Sequence, residues 1–194
     1  MDAWSVIMAL SLGLGLSAAC GFRVFVPLLA MGIGNRAGLI ELGESWGWMS
    51  ETLVITAFAV ATVLEISGYY IPWVDNLLDS VTTPSAIIAG VVVTSASLGQ
   101  IAGIDPVLQW ILAVIAGGGV AGTVQLGTAV TRAASTAVTA GVGNPVVSTV
   151  EAGASTTFAL LAVLMPVLAG ILVVALLFLV VRRFGDRRKV RAEG

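Results

Sequence analysis

Long stretches without a charged side chain decide what this chain can fold into. Four of them are long enough to cross a bilayer as a helix, which takes roughly 20 residues; they cover 3–22, 83–104, 106–131 and 156–181. A fifth stretch, between Glu51 and Asp75, is interrupted only by Glu65. Charged residues make up 10 % of the chain, whereas soluble domains carry about 25 %. These features predict an all-α, polytopic transmembrane helix bundle.

A pattern of seven residues occurs twice in the chain. The first copy consists of Arg23, Gly32, Gly34, Asn35, Glu41, Gly43 and Ser45. The second copy consists of Arg132, Gly141, Gly143, Asn144, Glu151, Gly153 and Ser155. We interpret the chain as one transmembrane domain, 1–181, in which repeat one (about 3–74) and repeat two (about 106–181) are joined by a linking span (about 84–103). Duplicated units with a polar centre are typical of transporters and some channels.

Each repeat contains a short segment between its Arg and its Asn, 24–35 and 133–144. As a helix of about 12 residues it reaches roughly 18 Å, about half of a hydrocarbon core of roughly 30 Å. If this segment is broken or re-entrant, the chain crosses five times and the repeats are inverted, which the charge distribution favours. If the segment crosses, there are seven spans and parallel repeats. Helix breaks are expected at four glycines, namely Gly32, Gly34, Gly141 and Gly143.

Most of the positive charge lies in a basic tail, 182–194. Six of the nine Lys and Arg residues occur there, directly after a long apolar run. By the positive-inside rule this tail is cytoplasmic, and we expect the protein in a bacterial inner membrane. Attraction to anionic lipid explains the tail more simply than nucleic-acid binding does. The expected partner is therefore the lipid bilayer and not a nucleic acid.

Two isolated arginines are the strongest candidates for function. Arg23 and Arg132 have no charged neighbour for at least 11 residues on either side. An Arg at membrane depth costs several kcal/mol unless it is paired or hydrated, and its planar fork binds carboxylates and phosphates well. The functional interpretation is an anion contact or a gating ion pair. The alternative is snorkelling of each side chain to the headgroups.

The acidic and amide residues of the pattern have two interpretations each. Glu41 and Glu151 either pair with an Arg or cap the helix that follows. Asn35 and Asn144 come after Gly-x-Gly, which fits a helix C-terminal turn, although their amides could face a permeation path. Glu65 lies within an apolar stretch, where it could titrate, bind a cation or pair with Arg; it lies at an interface if the span ends near Ser67.

Hydroxyl side chains are frequent in the second repeat. A spacing of three to four residues places four of them on one helical face, namely Thr128, Thr131, Ser135 and Thr139. Such a stripe either lines a wet path or forms bonds between helices.

Little in the sequence predicts catalysis. The chain has no His and a single cysteine, Cys20, which excludes an intrachain disulfide and removes the commonest general base and metal ligand. Asp75 and Asp79 have a spacing similar to that of metal-diphosphate sites in membrane prenyl and phospho-alcohol transferases, but no further acidic motif accompanies them. We therefore expect no enzyme activity, no metal and no cofactor.

Several motifs together resemble one protein family. They are Gly21-x-Arg23-x3-Pro27, Glu65 with Pro72-x2-Asp75-x3-Asp79, Pro84, and Arg132 through Asn144-Pro145-x2-Ser148-x2-Glu151. The chain is similar to the small bacterial multi-pass proteins grouped as domain of unknown function number 4126. Two departures from that family are Tyr69-Tyr70, where members carry an acidic-basic pair, and Ala152, where a second acid often follows the Glu. The resemblance implies a membrane protein and no particular activity.

Three functional hypotheses follow. The first is a small transporter or channel whose solute meets the paired Arg and Glu residues at the repeat interface. That solute is an anion if the arginines are not neutralised, and a proton or cation if Glu41, Glu65 and Glu151 neutralise them. The second is a non-transporting scaffold or lipid-organising protein in which these residues are internal struts, and the third is a lipid-phosphate enzyme. A homo-oligomer is also expected, because a chain of this size has little interior of its own.

Overall fold

All regular secondary structure in the described part of the chain is helical. The computed structural model describes residues 3–192, without the side chains at 72, 73, 75–77, 79, 181 and 183–192. The α-helices are α1 Ala3–Cys20, α2 Phe25–Arg36, α3 Thr52–Gly68, α4 Pro72–Leu98, α5 Pro106–Leu112, α6 Gly119–Thr139, α7 Asn144–Leu164 and α8 Pro166–Ala192. A 3₁₀ helix, Glu44–Ser50, precedes α3, and a π-helical turn, Ala113–Gly118, joins α5 to α6.

Four helical segments are long and apolar enough to cross a membrane. They are Ala3–Cys20, Ser80–Leu98, Pro106–Thr139 and Asn144–Leu164. The 3₁₀ helix and α3 together form a fifth candidate, bent by 63° at their junction, and the apolar helix Pro166–Val180 is shorter. The expectation of an apolar helical bundle is therefore confirmed. By length and composition, the described residues therefore contain four candidate spans, or five if the bent pair is counted as one span.

The two expected short segments differ in structure. The first is α2, a separate helix of 12 residues. The prediction of a second short segment at 133–144 is wrong, because 133–139 continues α6 and Arg132 lies inside that helix. The long apolar run 156–181 is also not one helix, because it is divided at Met165 between α7 and α8. Pro166 follows that break and lacks the N–H that would continue the helix.

The four glycines that we expected at helix breaks have two different roles. Gly32 and Gly34 lie inside α2, so the break predicted there is wrong. A Cβ on Gly32 would lie 2.6 Å from the carbonyl oxygen of Met49, and its small size therefore allows close packing. Gly141 and Gly143 lie between α6 and α7, where Gly141 has a φ of 89° that favours glycine.

Helix α1 packs at the centre of the bundle against α4, α7 and α8. Small residues allow these helices to approach closely. A Cβ on Gly15 would lie 2.8 Å from the Cβ of Ala162. The Ser17 hydroxyl is hydrogen bonded to the Gly90 carbonyl at 3.0 Å and lies 2.8 Å from the Thr94 hydroxyl. This central packing fixes the end of α1, from which Arg23 extends.

Candidate functional site

An ion pair joins the two helices of the α6–α7 hairpin. Arg132 lies seven residues before Thr139, the end of α6, and Glu151 lies seven residues after Asn144, the start of α7. Equal distances from the turn bring the two side chains face to face. The Arg132 Nε donates to Glu151 Oε1 at 3.0 Å, and Arg132 Nη2 binds Oε2. This is a bidentate contact of the kind that the planar guanidinium favours.

Arg23 reaches the same carboxylate from the other end of the chain. It lies between α1 and α2, and its Nη1 is 3.2 Å from Glu151 Oε2. Its Nη2 donates to the Ser148 carbonyl oxygen at 3.0 Å and to the Ser148 hydroxyl at 2.6 Å. Ser148 and Glu151 are three residues apart on α7 and therefore share a face. One face of α7 thus binds both arginines.

An aromatic ring completes this group. The guanidinium carbons of Arg23 and Arg132 lie 4.0 Å and 3.9 Å from the centroid of the Tyr69 ring, within the range of cation–π attraction. The Tyr69 hydroxyl donates to Thr82 Oγ1 at 3.1 Å. We call Arg23, Arg132, Glu151 and Tyr69 the arginine cluster. The three charged members are buried, with exposed fractions of 1 %, 4 % and 4 %.

Glu65 has a role that we did not predict. It is buried near the end of α3, and its carboxylate accepts hydrogen bonds from two backbone N–H groups. Val24 N is 2.8 Å from Oε1, and Phe25 N is 3.1 Å from Oε2. The first N–H groups of a helix have no partner within it and favour negative charge. Glu65 therefore caps α2 and fixes the backbone next to Arg23.

The other acidic and amide residues of the pattern are placed differently. Glu41 is exposed in the loop before the 3₁₀ helix, whereas Glu151 lies inside α7. The interpretation of both residues as caps of the following helix is therefore wrong. The Asn35 amide donates to the Ser50 hydroxyl. Asn144 is the first residue of α7 rather than part of a C-terminal turn, and its amide donates to Thr136 Oγ1 at 3.1 Å.

The hydroxyl residues of α6 do not form a continuous buried stripe. Thr128 is buried, Ser135 is partly buried, and Thr131 and Thr139 are exposed. Thr128 donates to the Gln125 carbonyl at 2.9 Å, and Thr139 donates to the Ser135 carbonyl at 2.7 Å. These hydroxyls are hydrogen bonded within their own helix.

An apolar groove runs along α6, α7 and α8. Its volume is about 500 Å³, and Glu151 forms part of its wall. We call it the α6–α8 groove, and it is lined by Phe22, Thr123, Val124, Gly127, Thr128, Thr131, Val146, Val147, Val150, Glu151, Leu176, Leu177 and Val180. The groove therefore reaches the arginine cluster from the side.

Within the described residues, no group of three or more His, Cys, Asp or Glu side chains is placed to hold a metal ion. The side chains of Asp75 and Asp79, on which the lipid-phosphate hypothesis depended, lie outside the described residues, as do those of the basic tail beyond Arg182.

Fold and site define an apolar, all-helical protein whose helices are suited to a membrane and which buries two arginines around one carboxylate. The chain belongs to the family described as domain of unknown function DUF4126, which it matches over residues 10–185. The resemblance noted from the sequence is thereby confirmed. No curated protein and no solved structure matches the chain.

Proposed function

We propose that this protein is a small integral membrane transporter with the arginine cluster as its polar centre. The observation that carries this proposal is the position of Glu151. Its carboxylate binds guanidinium groups from both ends of the chain, and it also lines the α6–α8 groove. A group that holds the bundle together and borders an open cavity is suited to couple binding with rearrangement.

Breaks between helices meet at this cluster. Arg23 follows the end of α1, and Tyr69 follows the end of α3. Transporters commonly place their sites where helices are interrupted near the interface of two repeats. The pattern shared by the two halves supports such a duplication. We propose that the repeats are inverted, although Arg23 lies between helices and Arg132 lies within one.

The charges of the cluster favour one class of solute. Glu151 neutralises part of the charge on Arg132 and Arg23, and Glu65 adds a second negative charge beside Arg23. Two arginines and two glutamates are balanced in formal charge. We therefore propose a neutral solute, or protons, in place of an anion. We further propose an inner-membrane location with a cytoplasmic C-terminus, no catalytic activity, and assembly into a homo-oligomer.

Flux measurements with matched variants test transport. Purified protein in liposomes is screened for flux of simple cations, anions and protons, and Glu151→Gln is compared with Glu41→Gln. Glu41 is an exposed glutamate of the same sequence pattern, so its variant controls for loss of one carboxylate. We expect selective flux that Glu151→Gln abolishes and Glu41→Gln retains. Equal flux in both variants, with both folded, contradicts the proposal.

A scaffold is the second candidate, and the burial of the cluster favours it. Charged side chains exposed by 4 % or less are what internal struts require. Thiol labelling distinguishes the candidates, because the only cysteine, Cys20, is fully buried and gives a low background. In a Cys20→Ala protein, Thr128→Cys and Ser135→Cys should react with a water-soluble thiol reagent if they border a pathway. Protection of both positions in folded protein, together with absent flux, supports the scaffold.

A further inference from the structure

The α6–α8 groove combines apolar walls with a small set of polar groups. Four residues supply them, namely Thr123, Thr128, Thr131 and Glu151. The first three lie on α6, and the carboxylate lies opposite them on α7. Apolar walls with a few placed polar groups are the usual composition of a ligand site.

In the described lining of the groove, every polar side chain offers a hydrogen-bond acceptor. The three hydroxyls donate their single protons to carbonyl oxygens of α6, those of Gly119, Gln125 and Gly127, at 2.7, 2.9 and 2.9 Å. A threonine hydroxyl has one donor and two acceptor sites, and an ionised carboxylate only accepts. An occupant of the groove therefore finds oxygen atoms that can accept a hydrogen bond, and no threonine hydroxyl that is free to donate one.

The charges of Glu151 and of the two arginines restrict the charge that the polar end of an occupant can carry. Among the described lining residues, an anionic headgroup would meet the carboxylate of Glu151 and no free hydroxyl donor. An ammonium group would meet a carboxylate already bound by Arg23 and Arg132, and would add a third positive charge close to two. A neutral donor avoids both repulsions, and burying a polar group without a partner is costly.

We propose that the α6–α8 groove binds a single-chain lipid of the bilayer whose polar end is an uncharged hydroxyl. The chain lies against the valine and leucine side chains, and the hydroxyl donates to Glu151 or to a threonine oxygen. The bilayer supplies this occupant because the groove lies between apolar helices suited to a membrane. This inference goes beyond transport, since binding in the groove requires no movement of a solute.

Gly127 offers a way to fill the groove without disturbing the bundle. It lines the groove, and a Cβ placed on it would have no neighbouring atom within 4 Å. A leucine there enters the cavity. Gly153 on α7 is likewise exposed with open space around it, and it does not line the groove. Gly127→Leu and Gly153→Leu are therefore a matched pair of variants.

The test uses a photoactivatable long-chain alcohol with a terminal alkyne, incorporated with the full-length protein into liposomes. Crosslinking is quantified after attachment of a reporter, and the labelled residues are found by mass spectrometry. Competitors are the unlabelled alcohol, its methyl ether and the fatty acid of the same chain length. Flux is not measured, so an absence of transport activity does not affect the result.

We expect labels on α6, α7 and α8 in the wild-type protein and in Gly153→Leu, and a several-fold loss in Gly127→Leu. One hydrogen bond contributes about 1 kcal/mol, so the alcohol should compete roughly fivefold better than its methyl ether. Equal competition by the ether means that any acyl chain fills the groove and overturns the proposal. Stronger competition by the fatty acid overturns it in favour of an anionic lipid.

Discussion

The guanidinium groups of Arg23 and Arg132 share one carboxylate and one aromatic ring. Both groups bind Glu151. Their guanidinium carbons lie at nearly equal distances from the centroid of the Tyr69 ring, 4.0 and 3.9 Å. Two positive charges so close together repel each other strongly in a medium of low dielectric constant. The carboxylate and the ring offset this repulsion, so we expect the stability of the fold to depend on both.

Replacement of Glu151 by Gln should destabilise the protein. The variant removes the charge that compensates both arginines, and breaking a buried ion pair by removing one partner costs about 3–5 kcal/mol. Thermal unfolding in detergent, followed by circular dichroism, should show a clear fall in the transition temperature. Glu41→Gln, which changes an exposed glutamate, should leave the transition in place. A transition unchanged in Glu151→Gln would show that the arginines find other partners.

Tyr69 should contribute through its ring more than through its hydroxyl. Tyr69→Phe loses the hydrogen bond to Thr82 and should cost about 1 kcal/mol. Tyr69→Leu also loses two cation–π contacts, each worth about 0.5–2 kcal/mol, and should cost clearly more. The same unfolding assay checks the order of the two variants. Tyr70→Leu is the control, because Tyr70 is exposed by 46 %; equal losses in Tyr69→Phe and Tyr69→Leu would refute a role for the ring.

Part of this site could be predicted from the sequence, because isolated charges in an apolar chain must be compensated. Arg23, Arg132 and Glu151 were therefore candidates, and pairing was one stated interpretation. Their arrangement depends on where helices end. The sequence pattern treats Arg23 and Arg132 as equivalent, yet one lies between helices and the other within α6. The identity of the shared carboxylate follows from the length of the α6–α7 turn, which the pattern does not encode.

Little in the sequence predicted the role of Tyr69 or the capping role of Glu65. A tyrosine beside the end of an apolar stretch is ordinary at a membrane interface, and only the departure from the family pattern at this position singled it out. The Glu65 carboxylate binds backbone N–H groups about forty residues away in the chain. Contacts of that kind depend on tertiary packing and leave no local periodicity. The predicted helix break at the glycines of α2 was wrong because their role also depends on tertiary packing. Their small size allows close contact with other elements and does not end the helix.

Two glycines of the same helical region should respond in opposite directions to alanine. A Cβ on Gly117 would clash with the Gly90 carbonyl oxygen and with Thr94, and overpacking of this kind costs roughly 1–3 kcal/mol. Gly127 has open space, and alanine is the better helix former by up to about 1 kcal/mol. We expect a lower transition temperature for Gly117→Ala and an equal or higher one for Gly127→Ala. A loss of similar size in both would show that helix propensity and packing are not separable here.

Removal of the Glu65 carboxylate should loosen the start of α2. Glu65→Leu leaves the N–H groups of Val24 and Phe25 without the acceptor that binds them at 2.8 and 3.1 Å. Loss of a helix cap costs about 1 kcal/mol, so hydrogen exchange at these two amides should accelerate roughly fivefold. Exchange is measured residue by residue in detergent micelles, with amides near Arg36 as the internal reference. Thr62→Val is the matched control, because the Thr62 hydroxyl donates to Phe58 within α3 itself. Unchanged exchange at Val24 and Phe25 in folded Glu65→Leu would mean that α2 starts without the cap. The position of Arg23 would then depend on its contacts with Glu151, Ser148 and Tyr69.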